Sequence, residues 1–194
     1  MKITTATFLI LALALPGAAE AQRRGSYNPF SFTPYVGAYR DAYDLQADDS
    51  NLGWMIGFRA GYHESRRLTL HANLGYAETN DVGTRAPLSD AIYDNQWVLL
   101  TGGADFALVP GNTSIAVGAD AGVAWRNNDG SGSDIDPAPA SGWAAYEIVV
   151  PSLIVRHGLS TGTSLSLSLQ DYIFDVFEGT VEHSPALTLG LTFR

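Results

Sequence analysis

Apolar and polar side chains alternate along most of this chain, and the alternation is clearest at its C-terminal end. From Ala186 to Arg194, leucine or phenylalanine fills one set of alternate positions, and threonine or glycine fills most of the other. Successive side chains of an extended strand point to opposite faces. This segment is therefore predicted to be a strand with one apolar face and one face of small and polar residues.

Seven further segments show the same period of two, and turn-forming residues separate them. The eight predicted strands cover residues 32–43, 53–63, 67–78, 97–109, 113–126, 142–156, 163–170 and 186–194. Pro151 interrupts the sixth segment. Because proline cannot donate a hydrogen bond to a strand ladder, we expect a bulge there.

The connections between the predicted strands are alternately short and long. The short ones are residues 64–66, 110–112 and 157–162, and the longer ones surround Asp48, Asp90, Asp134 and Glu182. An antiparallel meander places all its short turns at one end and all its long loops at the other. The sequence thus predicts an all-β, up-and-down antiparallel barrel of eight strands.

The N-terminal residues have the organisation of an export signal. Lys2 precedes an apolar run over residues 8–15, Pro16 follows it, and Ala19-Glu20-Ala21 has the small-x-small form of a signal peptidase site. The apolar run is too short to span a bilayer as a helix. We therefore predict a signal peptide over residues 1–21, a flexible lead-in over 22–31 and a barrel domain over 32–194.

Composition narrows the functional classes. The chain has 194 residues, no cysteine and a formal net charge of −9, which excludes disulfides and thiol chemistry and disfavours nucleic acid as a partner. After the signal, no stretch approaches the roughly 20 continuous apolar residues of a spanning helix. A membrane-spanning form of this chain must therefore use strands.

The whole mature chain resembles the small eight-stranded outer-membrane barrels of Gram-negative bacteria, the class that contains the transmembrane domain of outer-membrane protein A. Gly190-Leu191-Thr192-Phe193 resembles the C-terminal assembly signal of that family, although Arg194 follows the phenylalanine here. The resemblance implies a monomeric transmembrane barrel in the cell outer membrane. It also implies contact with membrane lipid, and recognition of Gly190 and Phe193 by the barrel-assembly machinery. From their charge alone, the acidic loops are expected to contact the divalent cations of the lipopolysaccharide layer.

Charge placement predicts which face meets lipid. An arginine on the lipid face costs about 2 to 4 kcal/mol at the bilayer midplane, and Arg59, Asp105 and Asp120 all lie on the glycine-bearing face of their strands. The apolar face is therefore predicted to point outward. A soluble lipocalin-like barrel with the opposite orientation is the alternative. The phase of the first and sixth strands stays open.

Aromatic residues favour the membrane orientation, because amphipathic rings prefer the two interfaces of a bilayer. Near the long loops lie Trp54, Trp97, Trp125 and Trp143, with Tyr76 close by, whereas Tyr62 and Phe193 lie at the opposite strand ends. These residues are predicted to form two belts.

A set of polar residues is predicted to face the barrel lumen. It consists of Arg59, His71, Asn73, Asp105, Asp120, Glu147 and Gln170. Such a set is compatible with a charged pore or gate. It is also compatible with a closed interior, because an eight-stranded barrel is only wide enough for its side chains to fill, and we favour this second interpretation.

No catalytic, cofactor or metal site is predicted. Some barrels of this size modify lipid A, which requires a hydroxyl nucleophile beside a histidine. His183-Ser184 would point to opposite faces of a strand, and His63-Glu64-Ser65 lies at a turn. Residues 127–136 carry carboxylates at spacings that a hard cation accepts but lack the distant glutamate of an EF-hand, and a solvated loop is the better interpretation.

The sequence therefore predicts a non-catalytic outer-membrane barrel with a structural or surface-interaction role. A narrow porin for small solutes and a lipid A hydrolase or acyltransferase are the alternatives. The ligand and the biological role are not encoded in any recognisable motif.

Overall fold

The computed structural model describes residues 28–41, 51–83, 91–130, 142–176 and 181–194. The strands are β1 Phe30–Asp41, β2 Asn51–His63, β3 Leu68–Gly83, β4 Ala91–Val109, β5 Thr113–Gly130, β6 Gly142–Gly158, β7 Thr163–Phe174 and β8 Glu182–Phe193. Each strand pairs with the next, and β1 pairs with β8, so the sheet is a closed barrel. The predicted fold class and strand number are confirmed. Within these residues no helix is long and apolar enough to cross a membrane.

The C-terminal strand closes the barrel. Phe193 is opposite Phe32 of β1 on one side and opposite Thr163 of β7 on the other. The antiparallel register continues along β1 as far as Tyr39 and Ala186. Because every strand has two neighbours, no strand edge is left open for pairing with another chain.

Five strands, β3, β4, β5, β7 and β8, extend at least four residues further towards the long loops than the sequence predicts. The polar residues of 79–83, 91–95 and 127–130, which were expected in loops, continue β3, β4 and β5. Ladder pairs such as Asn80 with Asp94 account for the difference, since backbone hydrogen bonds do not require apolar side chains. The predicted signal peptide, most of the lead-in and residues 131–136 of the candidate cation loop lie outside the described residues.

The bulge expected at Pro151 is wrong. Pro151 is opposite Ala119 of β5 in unbroken register. Between β6 and β7 the register is the same before the proline, at Val149 with Ile173, as after it, at Ser152 with Gln170. The proline therefore weakens the ladder locally without inserting an extra residue. A register shift lies instead in β4, between Ala107 and Val109.

The unbroken register fixes the two phases that the sequence left open. In β1, Asp41 is fully buried inside the barrel and Arg40 is exposed on the outside. In β6, Ile148 and Val150 point inward with 1% exposure. The lumen prediction for Glu147 is therefore wrong: its position alternates with these residues and is opposite the exposed Val123.

The tryptophan belt is also smaller than expected. Trp54 and Trp143 are 38% and 57% exposed on the outer wall, but Trp97 is 0% exposed and lies inside the barrel. Trp97 shares the inward phase of β4 with Asp105, and because β4 begins at Ala91, Trp97 is not at the strand end where the sequence placed it.

Two adjacent glycines of β4 illustrate how tightly the interior is packed. A Cβ added at the inward-facing Gly103 would overlap the Ala119 carbonyl oxygen and the carboxylate of Asp120. A Cβ added at the outward-facing Gly102 would meet only the His71 carbonyl oxygen at 3.6 Å, an ordinary contact. The Asp120 side chain therefore fits inside the barrel because Gly103, next to it, has no side chain.

Gly103→Ala is expected to destabilise the barrel by roughly 1–3 kcal/mol through overpacking. Gly102→Ala is the matched control and is expected to be neutral or to stabilise by less than about 1 kcal/mol. Urea unfolding in lipid vesicles, followed by tryptophan fluorescence, measures both free energies. Equal stabilities of the two variants would contradict this account of the interior.

Candidate functional site in the barrel interior

The loop-side half of the interior is filled by aromatic rings. Tyr39, Trp97, Tyr172 and Phe174, which we call the aromatic plug, are each at most 4% exposed. Trp97 packs on Phe174 with ring centroids 4.8 Å apart, and Tyr39 meets Tyr172 edge-on at 5.8 Å. The indole Nε1 of Trp97 donates a 2.8 Å hydrogen bond to Oδ2 of the buried Asp41. The plug thus fills this half of the lumen with side chains.

An ionic cluster lies next to the plug, towards the short turns. Nη1 of Arg59 contacts Oδ2 of Asp105 at 3.1 Å, and Nη2 of Arg156 contacts the same carboxylate oxygen. Nε of Arg59 also donates to Oδ1 of Asn73 at 2.8 Å. A single carboxylate therefore holds two arginines that reach it from β2 and β6.

A second carboxylate completes the ionic cluster. Oδ1 of Asp120 lies 2.6 Å from Nε2 of His71, and its Oδ2 accepts hydrogen bonds from Asn73 and, at 3.2 Å, from the Thr101 hydroxyl. Strand register produces this arrangement, because Asn73 is opposite Thr101 while His71 is opposite Gly103, the partner of Asp120. Arg59 and Arg156 share Asp105, and His71 contacts Asp120, so each carboxylate of the cluster has partners as burial requires.

Towards the short turns, the interior wall formed by β7 and β8 carries small polar residues in place of charges. Ser166, Ser168 and Gln170 alternate along β7 and are all buried. Thr188 and Thr192 continue the pattern on β8. The lumen is therefore polarised across its width, with carboxylates on β4 and β5 and hydroxyl groups opposite them.

Six of the seven predicted lumen residues lie inside the barrel: Arg59, His71, Asn73, Asp105, Asp120 and Gln170. Five belong to the ionic cluster, whereas Gln170 accepts a 3.3 Å hydrogen bond from the Tyr172 hydroxyl. Sequence reasoning missed Arg156, which lies in the strand whose phase Pro151 obscured. Of the two residues of the assembly-signal prediction, Gly190 is buried and Phe193 is half-buried.

A serine and a histidine distant in sequence meet at the turn end of the barrel. The Ser31 hydroxyl lies 3.0 Å from Nε2 of His63, and Nδ1 of His63 lies 2.9 Å from the Thr69 hydroxyl. A nucleophilic serine needs a base oriented by an acid, and here a threonine takes the orienting position. The two pairs named from the sequence differ from this one: His183 is exposed while Ser184 is fully buried, and Ser65 bonds backbone amides of its own turn.

In the part of the chain that the structure describes, no three histidine or carboxylate side chains are grouped so that they could hold a metal ion.

Replacing Asp105 by asparagine would leave two buried arginines without their shared carboxylate. Asp105→Asn is therefore expected to destabilise the barrel by about 3–5 kcal/mol. Glu64→Gln, at an exposed turn, is the control and should stay within about 0.5 kcal/mol of the unmodified chain. Urea unfolding in vesicles measures both, and an Asp105→Asn variant as stable as the control would show that the ionic cluster contributes nothing.

No family model and no curated protein sequence matches this chain. Solved structures do. Neisserial surface protein A superposes with a TM-score of 0.55 at 14% identity over 86% of this chain and 97% of that chain. The N-terminal β-barrel domain of Pseudomonas aeruginosa OprF gives 0.52 at 14% identity over 86% and 97%. Ail, the attachment invasion locus protein of Yersinia pestis, gives 0.51 at 14% identity over 84% and 96%.

At these identities the likeness concerns architecture and not activity. It covers the strand number and the closed barrel. This chain has the fold of the small eight-stranded outer-membrane β-barrels.

Proposed function

We propose that the mature chain is an integral barrel of the cell outer membrane with a structural or surface-interaction role and no catalytic function. The observation that carries this proposal is the outer wall. Large apolar side chains are exposed on all eight strands, among them Val36, Leu52, Leu70, Leu100, Val117, Leu153, Leu167 and Leu189. Soluble monomers rarely expose contiguous apolar patches of more than a few hundred Å². A wall of this kind belongs in hydrocarbon.

The placement of charge supports the same proposal. Arg59, Asp105 and Asp120 lie inside the barrel at mid-strand, where a lipid-facing charge would be costly. Two outward charges, Arg40 and Glu78, lie near the loop ends of their strands, where the interface of a bilayer tolerates them. Glu147, opposite the exposed Val123, is an outward charge that departs from this placement. A soluble barrel with an apolar interior would have the opposite arrangement.

The filled interior favours a structural role over a porin. The aromatic plug occupies the loop side, and the ionic cluster crosses the lumen beside it. A conducting path would have to displace both groups of side chains. The Ser31 and His63 pair is continued by the Thr69 hydroxyl in the position that an acid takes in a catalytic triad, which does not favour the lipid A enzyme.

The partners we propose follow from the location and the closed sheet. Outer-membrane lipid and lipopolysaccharide surround the wall, and the assembly machinery recognises the end of β8 around Gly190 and Phe193. The closed sheet offers no open edge, which favours a monomer. The net charge of −9 favours cationic over anionic partners at the surface.

Membrane insertion predicts two simple properties of the purified mature chain, residues 22–194. Refolded in detergent micelles, it should migrate faster on a gel before boiling than after, because a closed barrel resists the denaturing detergent until it is heated. Removal of the detergent should precipitate it. A folded, β-rich monomer that remains soluble in plain buffer would contradict the membrane location.

Planar-bilayer recordings separate the structural role from the porin alternative. Because side chains fill the lumen, the inserted barrel should give no unitary conductance above that of a mock preparation. Heat-modifiable migration of the same sample verifies that folded protein was added. Reproducible conductance steps, with a frequency that rises with protein concentration, would favour the narrow porin.

A further inference from the structure

A small cavity lies beside the ionic cluster, on its turn side. Its volume of about 20 Å³ is enough for one water molecule or a monatomic ion, since one water requires roughly 10–15 Å³ on this measure. Among the residues that line it are Arg59, Arg156, Ser166, Ser168, Thr188 and Thr192. Nutrient-sized solutes do not fit.

Both arginines have N–H groups to spare. A guanidinium carries five N–H donors. Arg59 uses Nε on Asn73 and Nη1 on Asp105, and Arg156 uses Nη2 on Asp105. None of the remaining nitrogens of the two arginines is a fully buried atom that lacks a hydrogen-bond partner. Both side chains line the cavity. The cavity therefore receives N–H donors from two charged groups.

Hydroxyl and amide groups add to these donors. Within the described residues, Ser168 and Thr188 have no hydrogen-bond partner for their hydroxyls, and Gln170 has none for its Nε2. All three line the cavity. Each is thus free to donate a hydrogen bond towards its centre.

No carboxylate of the described residues lines the cavity. The carboxylates of the ionic cluster belong to Asp105 and Asp120, which do not line the cavity. These carboxylates belong to β4 and β5, on the side of the barrel opposite β7 and β8. The guanidinium, hydroxyl and amide groups are therefore the polar groups in direct contact with the cavity, and Asp105 contacts the guanidinium groups from behind.

We propose that this cavity is a binding site for a small monovalent anion of the size of chloride or bromide. Such an ion accepts several hydrogen bonds and donates none, which matches a cavity that two guanidinium groups supply with N–H donors and that no carboxylate of the described residues lines. Charge-assisted bonds from Arg59 and Arg156 supply most of its stabilisation, and Ser168, Thr188 and Gln170 complete its shell. The anion enters from the turn end, since the aromatic plug fills the loop side.

Bromide makes the site directly visible. Crystals of the detergent-refolded mature chain, soaked in sodium bromide, should show an anomalous peak within hydrogen-bond distance of a guanidinium nitrogen of Arg59 or Arg156. In solution, chloride-35 line broadening should contain a saturable component that bromide competes away. Sodium isethionate at equal ionic strength controls for screening.

Variants assign the binding to this cavity. Arg156→Gln should weaken it by about tenfold or more and Ser168→Ala by about threefold to tenfold, in line with the loss of a charged and a neutral hydrogen bond. Ser164→Ala is the matched control, since Ser164 is on the same face of β7 but does not line the cavity, and its affinity should not change. Gel migration verifies folding, and Ser168→Ala provides the test if Arg156→Gln does not fold.

Three outcomes would overturn the proposal. One is the absence of a bromide peak in the cavity. Another is a peak without a saturable component in solution, which would mark an adventitious ion only. The third is an affinity that Ser168→Ala leaves unchanged relative to Ser164→Ala. None of them affects the membrane location, because the heat-modifiable migration of the same samples tests that separately.

Discussion

The ion pairs that Asp105 makes with Arg59 and Arg156 connect strands that share no ladder hydrogen bonds. Backbone pairing holds each strand only to its two neighbours, so it fixes the perimeter of the barrel but not its cross-section. Asp105 on β4 pulls β2 and β6 towards the centre, and Asp120 on β5 does the same to His71 on β3. The buried charges are costly individually, but as a balanced set they hold the cross-section in one arrangement.

Glycine residues make room for the buried carboxylates inside the closed barrel. The carboxylate of Asp120 lies where a side chain at Gly103 would be, and that of Asp105 lies over Gly118. Any larger residue at these two positions would displace a carboxylate from its partners. The sequence predicted that the glycine-bearing face points inward. The physical reason is that the lumen is narrow, so each of these aspartates needs a residue without a side chain opposite it.

The fold was predictable because alternation is a local property that eight segments repeat. Strand ends were less predictable, since pairs such as Asn80 with Asp94 extend the ladder regardless of polarity. The error at Glu147 comes from the phase of β6, which the expected bulge at Pro151 left open. With the register intact, the buried Ile148 and Val150 fix that phase, so Glu147 points outward and Arg156 inward.

The inward orientation of Trp97 could have been predicted from the sequence, although its position near the predicted strand end suggested an interfacial belt. Its phase in β4 is that of Asp105, so the alternation that placed the aspartate inside also placed the indole inside. Contacts such as Ser31 with His63 depend on the register between strands, which no single segment encodes.

The inward position of Trp97 divides the lumen along its axis. Packed rings on the loop side exclude water and strengthen the neighbouring ion pairs by lowering the local dielectric constant. Hydroxyl groups on the turn side keep the other face of the same arginines polar. The ionic cluster thus lies between an apolar half and a polar half of the interior. In this position the ion pairs hold the guanidinium groups in place, while some of their N–H groups make no hydrogen bond to any described residue of the protein.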